Sequence, residues 1–124
     1  MATAGGERDA MWLFVRNGFF SAVRHNSKPD MIHVRARFRG DLERLCRAHG
    51  VEPCVHATPT GDYRWRMDFP RAEWARIAAE EAGAIDYPNF KDAAHDGTVR
   101  DDAYMEVWGD LRDAQDALGY KTND

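Results

Sequence analysis

Cysteine is scarce in this chain of 124 residues, which contains only Cys46 and Cys54. Two cysteines cannot form the set of disulfides that stabilises small secreted domains, so the fold has to depend on a hydrophobic core. Long apolar runs are missing too, because the stretch from Ala10 to Val15 is far shorter than the ~20 residues that cross a bilayer. The N-terminus lacks the basic start and apolar run of a signal peptide. We therefore expect a cytoplasmic protein that does not bind membranes.

Catalytic and cofactor motifs are also missing from the sequence. It has no glycine-rich loop of the kind that binds phosphate groups, and Ser21 does not lie in the Gly-x-Ser-x-Gly motif of serine hydrolases. No segment supplies a nucleophile together with an oriented base. We therefore expect a protein that is not an enzyme and that binds no cofactor.

Apolar residues are plentiful enough for one hydrophobic core. They make up 44% of the chain, with four Trp, six Phe and four Tyr among them. A chain of this length usually forms one domain. We expect that domain to span residues 10–119, after a disordered segment at 1–9 and before a tail at 120–124.

Several segments have the alternating pattern of β-strands. Two of them flank Asn17 and Gly18, and Asn-Gly between β-rich runs is the strongest short-range signal for a hairpin. We expect Trp12 or Phe14 of the first run to pack into the core. In the last strand the alternation places Tyr63 on the core-directed face with the other apolar residues. The predicted strands cover residues 11–16, 19–24, 31–38, 54–57 and 63–69.

Three further segments have apolar residues three and four positions apart, which is typical of helices. Pro70 suits the first position of the second helix, and Gly50 and Gly83 suit the positions just past two helix ends. Helices grouped against an antiparallel sheet predict an α+β fold. We expect a ferredoxin-like β-α-β-β-α module with an N-terminal β-hairpin and an extra C-terminal helix. The predicted helices cover residues 41–49, 70–82 and 101–118.

Several short sequence blocks occur in a characteristic order along the chain. The blocks are Trp12-Leu-Phe, Gly18-Phe-Phe-Ser21, Val34-Arg-Ala-Arg37, Gly40-Asp-Leu-Glu43, Asp62-Tyr63 with Arg66, Ile85-Asp-Tyr with Asn89-Phe-Lys91, and Tyr104 with Val107-Trp108. In these blocks the chain resembles a family of small bacterial and mobile-element proteins of unknown function, over about residues 11–110. The Ile-Asp-Tyr-x-Asn-Phe-Lys block is the most specific part. The resemblance implies a compact domain and no particular activity.

The charges are divided unevenly between the two halves of the chain. Residues 1–66 contain eleven Lys and Arg against seven Asp and Glu, whereas residues 67–124 contain six against fourteen. Four arginines, with His33, are predicted to share one face of the sheet: Arg35, Arg37, Arg64 and Arg66. Such a face can bind nucleic acid. We favour a second interpretation, in which acids from residues 68–116 pair with these arginines, because the aromatic residues of the fifth strand point towards the core.

The last predicted helix has acidic residues at spacings of four, four and three. This stripe is typical of the solvated face of an amphipathic helix, and it also suits binding to a basic groove on a nucleic-acid machine. The non-periodic loop before the helix adds polar residues of the kind that often bind partners. The predicted partner-binding residues are Asp102, Glu106, Asp110, Asp113, Asp86, Tyr87, Asn89 and Lys91. We expect a small interaction or regulatory module with a protein partner, and nucleic-acid binding stays the alternative.

One arrangement in the chain has metal-ligand chemistry: Cys46, His49, Cys54 and His56. Four nitrogen and sulfur ligands on two elements suit tetrahedral zinc. The spacings match no common zinc finger or ribbon, however, and Cys46 and His49 lie on the core stripe of a predicted helix, where cysteine is a small hydrophobic residue. These four residues are also outside the blocks of the family resemblance. Our expectation is that no metal binds, and a zinc-binding domain stays a further alternative.

Overall fold

The computed structural model describes residues 10–90, 93 and 99–118. The chain divides into two compact units between Tyr87 and Pro88, a boundary inside the predicted domain of residues 10–119. The first unit contains a five-stranded sheet and two helices, and the second contains one described helix. In chain order the elements are β1 Met11–Val15, β2 Gly18–Arg24, β3 Met31–Ala36, α1 Arg39–Ala48, β4 His56–Ala57, β5 Trp65–Pro70, α2 Arg71–Gly83 and α3 Val99–Leu118. The predicted α+β class is confirmed.

Neighbouring strands are antiparallel throughout the sheet, and their order is β1-β2-β3-β5-β4. β5 therefore lies between β3 and β4, which run parallel to each other and are connected through α1. β3 has β2 as its other neighbour, a strand that precedes it in the chain. This is not the order of a simple ferredoxin fold, so the predicted ferredoxin-like topology is not found in that form.

The predicted hairpin is confirmed, but its two turn residues are Arg16 and Asn17 and not Asn17 and Gly18, because Val15 pairs with Gly18. Gly18 has a φ of +154°, which side chains rarely adopt. A Cβ atom there would also lie less than 3.0 Å from three side-chain atoms of Asp41. Asp41 is buried at the start of α1 and accepts a hydrogen bond from the backbone N–H of Phe19 at 3.2 Å. Glycine is required at this position because the turn packs directly on α1.

Both helices of the first unit pack on one face of the sheet, which we call the inner face. The sheet supplies Phe20, Val34 and Phe69, all fully buried, and burial of each such side chain contributes about 1.5–3 kcal/mol. The rest of the buried cluster consists of Ala22, Ile32, Ala36, Leu42, Leu45, Cys46, Met67, Trp74 and Ile77. This layer holds the sheet rigid, so the positions of side chains on the opposite face are fixed by strand register.

The packing expected for the first strand is wrong. Trp12 is 62% exposed and Phe14 is half-buried outside the core cluster, whereas Leu13 and Val15 pack against that cluster. The run from Met11 to Val15 is apolar on both faces, so its alternation does not show which face is buried. The structure therefore places aromatic rings on the face of the sheet opposite the helices.

Candidate nucleic-acid interface

The face of the sheet opposite α1 and α2, which we call the outer face, has one row of side chains crossing all five strands. Directly paired residues of antiparallel strands lie on the same face. Trp12 pairs with Ser21, Ser21 with Arg35, Arg35 with Arg66, and Arg66 with His56. The register thus aligns an indole, a hydroxyl, two guanidinium groups and an imidazole across the sheet.

Two of the arginines on this face are directly opposite each other, which would be destabilising if neither charge were stabilised locally. Arg35 donates through Nη2 to the Oγ of Ser21 at 2.8 Å, and Ser21 is fully buried. Arg66 donates through Nε to the backbone oxygen of Tyr63 at 3.2 Å. Both guanidinium groups therefore donate to neutral oxygen acceptors.

The ring of Tyr63 supports two arginines at once. The Cζ atoms of Arg35 and Arg37 lie 4.8 and 4.3 Å from the ring centroid, within the range of cation–π contacts. Arg37 also donates to the backbone oxygen of Asp62 at 3.0 Å. Tyr63 was expected on the core-directed face, but β5 begins only at Trp65, so strand alternation does not extend back to Tyr63. The ring is 4% exposed and fixes the two guanidinium groups beside each other.

The expected pairing of these arginines with acids from residues 68–116 is wrong for the part of the chain that the structure describes. There, no carboxylate forms an ion pair with any of the four: Arg35, Arg37, Arg64 and Arg66. Arg64 is exposed just before β5, and its guanidinium contacts no described partner. Ion pairs between the two halves instead involve other cations, such as Arg16. Among the described residues, these arginines therefore have no direct carboxylate partner.

Asp68 is the acid nearest in register to these arginines, and histidines bind it. Its Oδ1 lies 2.6 Å from Nδ1 of His33, and its Oδ2 lies 3.5 Å from Nε2 of His25. His25 Nδ1 accepts the backbone N–H groups of Ser27 and Lys28, both at 3.1 Å, so the proton that faces Asp68 is on Nε2. The Nη1 of Arg66 lies 3.4 Å from the Nε2 of His33. The carboxylate is thus satisfied without neutralising an arginine.

The outer face also has aromatic rings on β1 and β2. Trp12 packs edge-on against Phe19, with centroids 5.3 Å apart and planes at 90°, and Phe14 lies 5.2 Å from Phe19. Sequence reasoning looked for these rings on the fifth strand and missed them on the first. In the structure Arg16 and Asn17 are the two turn residues, which pairs Trp12 with Ser21 and places it on the face of Arg35. A turn at Asn17 and Gly18 would pair Trp12 with Val23, on the same face, so the hairpin pattern could have predicted the face but not the register.

The residues of the zinc alternative are not assembled into a site. Cys46 is buried and contacts the sulfur of Met67 at 3.6 Å, and burial raises the pKa of its thiol to about 11. Cys54 and His56 are exposed. Over residues 10–90, 93 and 99–118, no group of three or more His, Cys, Asp or Glu is placed to hold a metal ion.

His49, the fourth of those residues, links the two helices instead. Its Nδ1 lies 2.7 Å from Glu80 and its Nε2 lies 2.5 Å from Glu81, and its side chain is 6% exposed. Arg76 also donates to Glu80 at 2.9 Å. The hydrogen bonds from His49 and then Arg76 hold the pKa of Glu80 below its ordinary value. These contacts join the end of α1 to the end of α2.

Two of the predicted partner-binding residues in the connector are brought together by Arg16. Its Nη2 lies 2.8 Å from Asp86, and its Cζ lies 4.7 Å from the ring centroid of Tyr87. This contact attaches the connector to the β-hairpin. Asn89 is exposed at the start of the second unit, and Lys91 lies outside the described residues.

The predicted acidic stripe lies on α3, and its four carboxylates are exposed: Asp102, Glu106, Asp110 and Asp113. Tyr104 is buried, in agreement with the expected apolar side of this helix. The rest of that side is more accessible than predicted, because Val107, Trp108 and Leu111 are 41%, 46% and 67% exposed. The helix thus presents both charge and apolar surface.

Comparison of the chain with protein-family models, curated proteins and solved structures finds no match. The resemblance to a bacterial and mobile-element family therefore stays a hypothesis. No helix in the described ranges is long and apolar enough to cross a membrane.

Proposed function

We propose that the chain is a non-enzymatic module that binds single-stranded nucleic acid through the outer face of its sheet. The observation that supports this most directly is the cluster of Arg35, Arg37 and Arg66, which lie side by side without a carboxylate partner in the described chain. Guanidinium groups bind phosphate oxygens through several N–H donors at once. Each of these three uses only part of its donors on neutral acceptors. The Nε of Arg35 is buried, so the proposed phosphate contact of this residue is through its terminal nitrogens.

Single strands are favoured over duplexes because the same face presents the exposed indole ring of Trp12. Bases of a single strand stack on aromatic side chains, and each such contact is worth about 1–3 kcal/mol. Trp12 is two strand spacings from Arg35, which is about 10 Å. A single-stranded nucleic acid that crosses the sheet from Trp12 towards Arg35 can therefore stack a base on Trp12 while a neighbouring phosphate binds Arg35.

The salt dependence of binding follows from the number of arginines involved. Each phosphate neutralised on a single strand contributes about −0.7 to the slope of log affinity against log salt, so three contacts predict a slope of about −2. The net charge of −4 opposes association, and binding is expected to be strong only at low salt. The slope of log affinity against log salt thus reports how many arginines of the cluster contact phosphates.

The proposal is tested by fluorescence anisotropy with a labelled oligo-dU of about 16 nucleotides, between about 50 and 200 mM salt. Arg35→Ala is expected to weaken binding and to reduce the slope by about 0.7. Arg47→Ala is the matched control. This substitution removes the same charge, but from an exposed position on α1, away from the outer face. Trp12→Ala is expected to weaken binding without changing the slope. Equal effects of Arg35→Ala and Arg47→Ala, or binding that salt does not affect, would contradict the proposal.

A second proposal concerns α3, whose exposed carboxylates and adjoining apolar residues suit a basic protein surface. In this case the helix inhibits a nucleic-acid machine by occupying its basic groove. The test is inhibition of a nonspecific nuclease by the purified chain. A variant with Asn or Gln at Asp102, Glu106, Asp110 and Asp113 is expected to lose that inhibition, and failure of the unmodified chain to inhibit would refute the idea.

A further inference from the structure

A groove of about 530 Å³ lies on the inner side of the first unit, between α2 and the strands β1 to β3. Its volume is within the range of about 300–1,000 Å³ that is typical of small-molecule sites. Its apolar lining comes from Met11, Ala22, Ile32, Trp74, Ala75 and Ala78. Ala75 and Ala78 face the sheet edge with side chains too small to close the space. The groove is therefore a consequence of alanine at two positions of α2.

Two arginines line the same groove, and no carboxylate does so among the described residues. Arg24 is the last residue of β2, is exposed, and has no described partner for its guanidinium. Arg71 is the first residue of α2 and donates to the backbone oxygen of Pro29 at 2.9 and 3.3 Å, so its charge is not neutralised. The positive end of the α2 dipole adds to both. An apolar groove with this charge is complementary to an amphipathic anion.

Trp74 supplies a further polar feature. Its side chain lines the groove and is 5% exposed. Its indole N–H is buried and has no hydrogen-bond acceptor in the described chain. Buried donors are nearly always paired, so an unpaired one in a residue that lines the groove is unusual.

We propose that this groove binds a small amphipathic carboxylate, of the class of medium-chain fatty acids. The hydrocarbon chain lies on the surface formed by Met11, Ile32 and Trp74, and the carboxylate lies between Arg24 and Arg71. The groove is on the side of the sheet opposite the arginine cluster. The inference is therefore independent of the proposed nucleic-acid binding.

The test uses decanoate, with decyltrimethylammonium and decanol as the cationic and neutral probes of equal chain length. The readout is the set of indole N–H signals of the four Trp residues in ¹H–¹⁵N spectra, with the signal of Trp74 assigned through Trp74→Phe. Decanoate is expected to shift the Trp74 signal saturably. The two other probes are expected to bind at least about tenfold more weakly, since they lack the charge-assisted contact.

The variants separate a built site from nonspecific adsorption. Arg24→Ala is expected to weaken decanoate binding about tenfold and, because Arg24 is exposed, to leave the fold intact. Arg64→Ala removes the same charge from a position outside the groove and is expected to have no effect. Ala78→Leu is expected to abolish binding by filling the groove. An unresponsive Trp74 signal, or equal binding of decanoate and decyltrimethylammonium, would overturn the proposal.

Discussion

Replacement of Asp41 is expected to uncouple the β1–β2 turn from α1 and to cost more stability than any surface ion pair. The side chain of Asp41 is 1% exposed. It accepts the backbone N–H of Phe19 at 3.2 Å and pairs with the guanidinium of Arg44, which is 41% exposed. Asp41→Ala removes the acceptor for both donors at once.

The magnitude follows from what each donor loses. A buried N–H left without an acceptor costs about 1–3 kcal/mol, which applies to Phe19. Arg44 is partly solvated, so the loss of its pair contributes only about 0–1 kcal/mol. We therefore expect Asp41→Ala to lower the free energy of unfolding by about 1–4 kcal/mol. Asp41→Asn keeps an acceptor oxygen for Phe19 and should lose about half as much.

Urea denaturation with linear extrapolation measures these differences. Glu43→Ala is the matched control, because Glu43 is on the same helix but makes solvent-accessible pairs with Arg39 and Arg47. It should lose less than about 1 kcal/mol. The reasoning would be refuted if Asp41→Ala lost no more than Glu43→Ala, or if the Asn variant were as unstable as the Ala variant.

Three other outcomes follow from contacts in the first unit. Gly18→Ala is expected to destabilise strongly in the same assay, because its Cβ would overlap Asp41 at a φ of +154°; a change within experimental error would show that the turn can move away. Hydrogen bonds to Glu80 lower the pKa of its carboxyl group in the folded state. Ionised Glu80 therefore stabilises the fold at pH values above its unfolded-state pKa, and this contribution is lost as the pH falls through its folded-state pKa. Removal of the histidine contact by His49→Ala should raise the Glu80 titration midpoint in carboxyl NMR, and an unchanged midpoint would exclude this cause. Finally, Cys54 is exposed whereas burial raises the pKa of Cys46 to about 11, so Ellman's reagent should modify one thiol in the folded protein and both in urea. Equal reactivity of the two thiols before unfolding would contradict this assignment.

Local patterns predicted most elements of the first unit within about two residues. The Asn-Gly pair predicted the hairpin, although the turn lies one residue earlier in the chain, and the strict alternation from Met31 to Ala36 predicted β3. The strand order could not be predicted, because pairing of β3 with β5 depends on packing between segments far apart in the chain. At β1, where the residues on both faces are apolar, alternation did not predict which face is buried.

The candidate site was predicted in part. Alternation in β3 correctly placed His33 and Arg35 on one face, and that of β5 placed Arg66 with them. The ionic pairing was wrong because net charge per half carries no information about distance. Asp68 was within reach of the cluster in register, yet His33 and His25 bind it. The role of Tyr63 depends on where β5 begins, which the residue pattern does not define to within two positions.

The insertion of β5 between β3 and β4 has a consequence for the order of folding. β1, β2 and β3 are joined by short turns and can pair while contacts are still local. Ala36 pairs with Trp65, so the central pair of strands closes a loop formed by residues 37–64, and that closure costs chain entropy before any contact is gained. Late closure of this kind slows folding relative to a simple meander. β3 is completed from both sides only in the last step, so its amides should exchange with solvent only through global unfolding, whereas those of β1, at the sheet edge, should exchange through local opening.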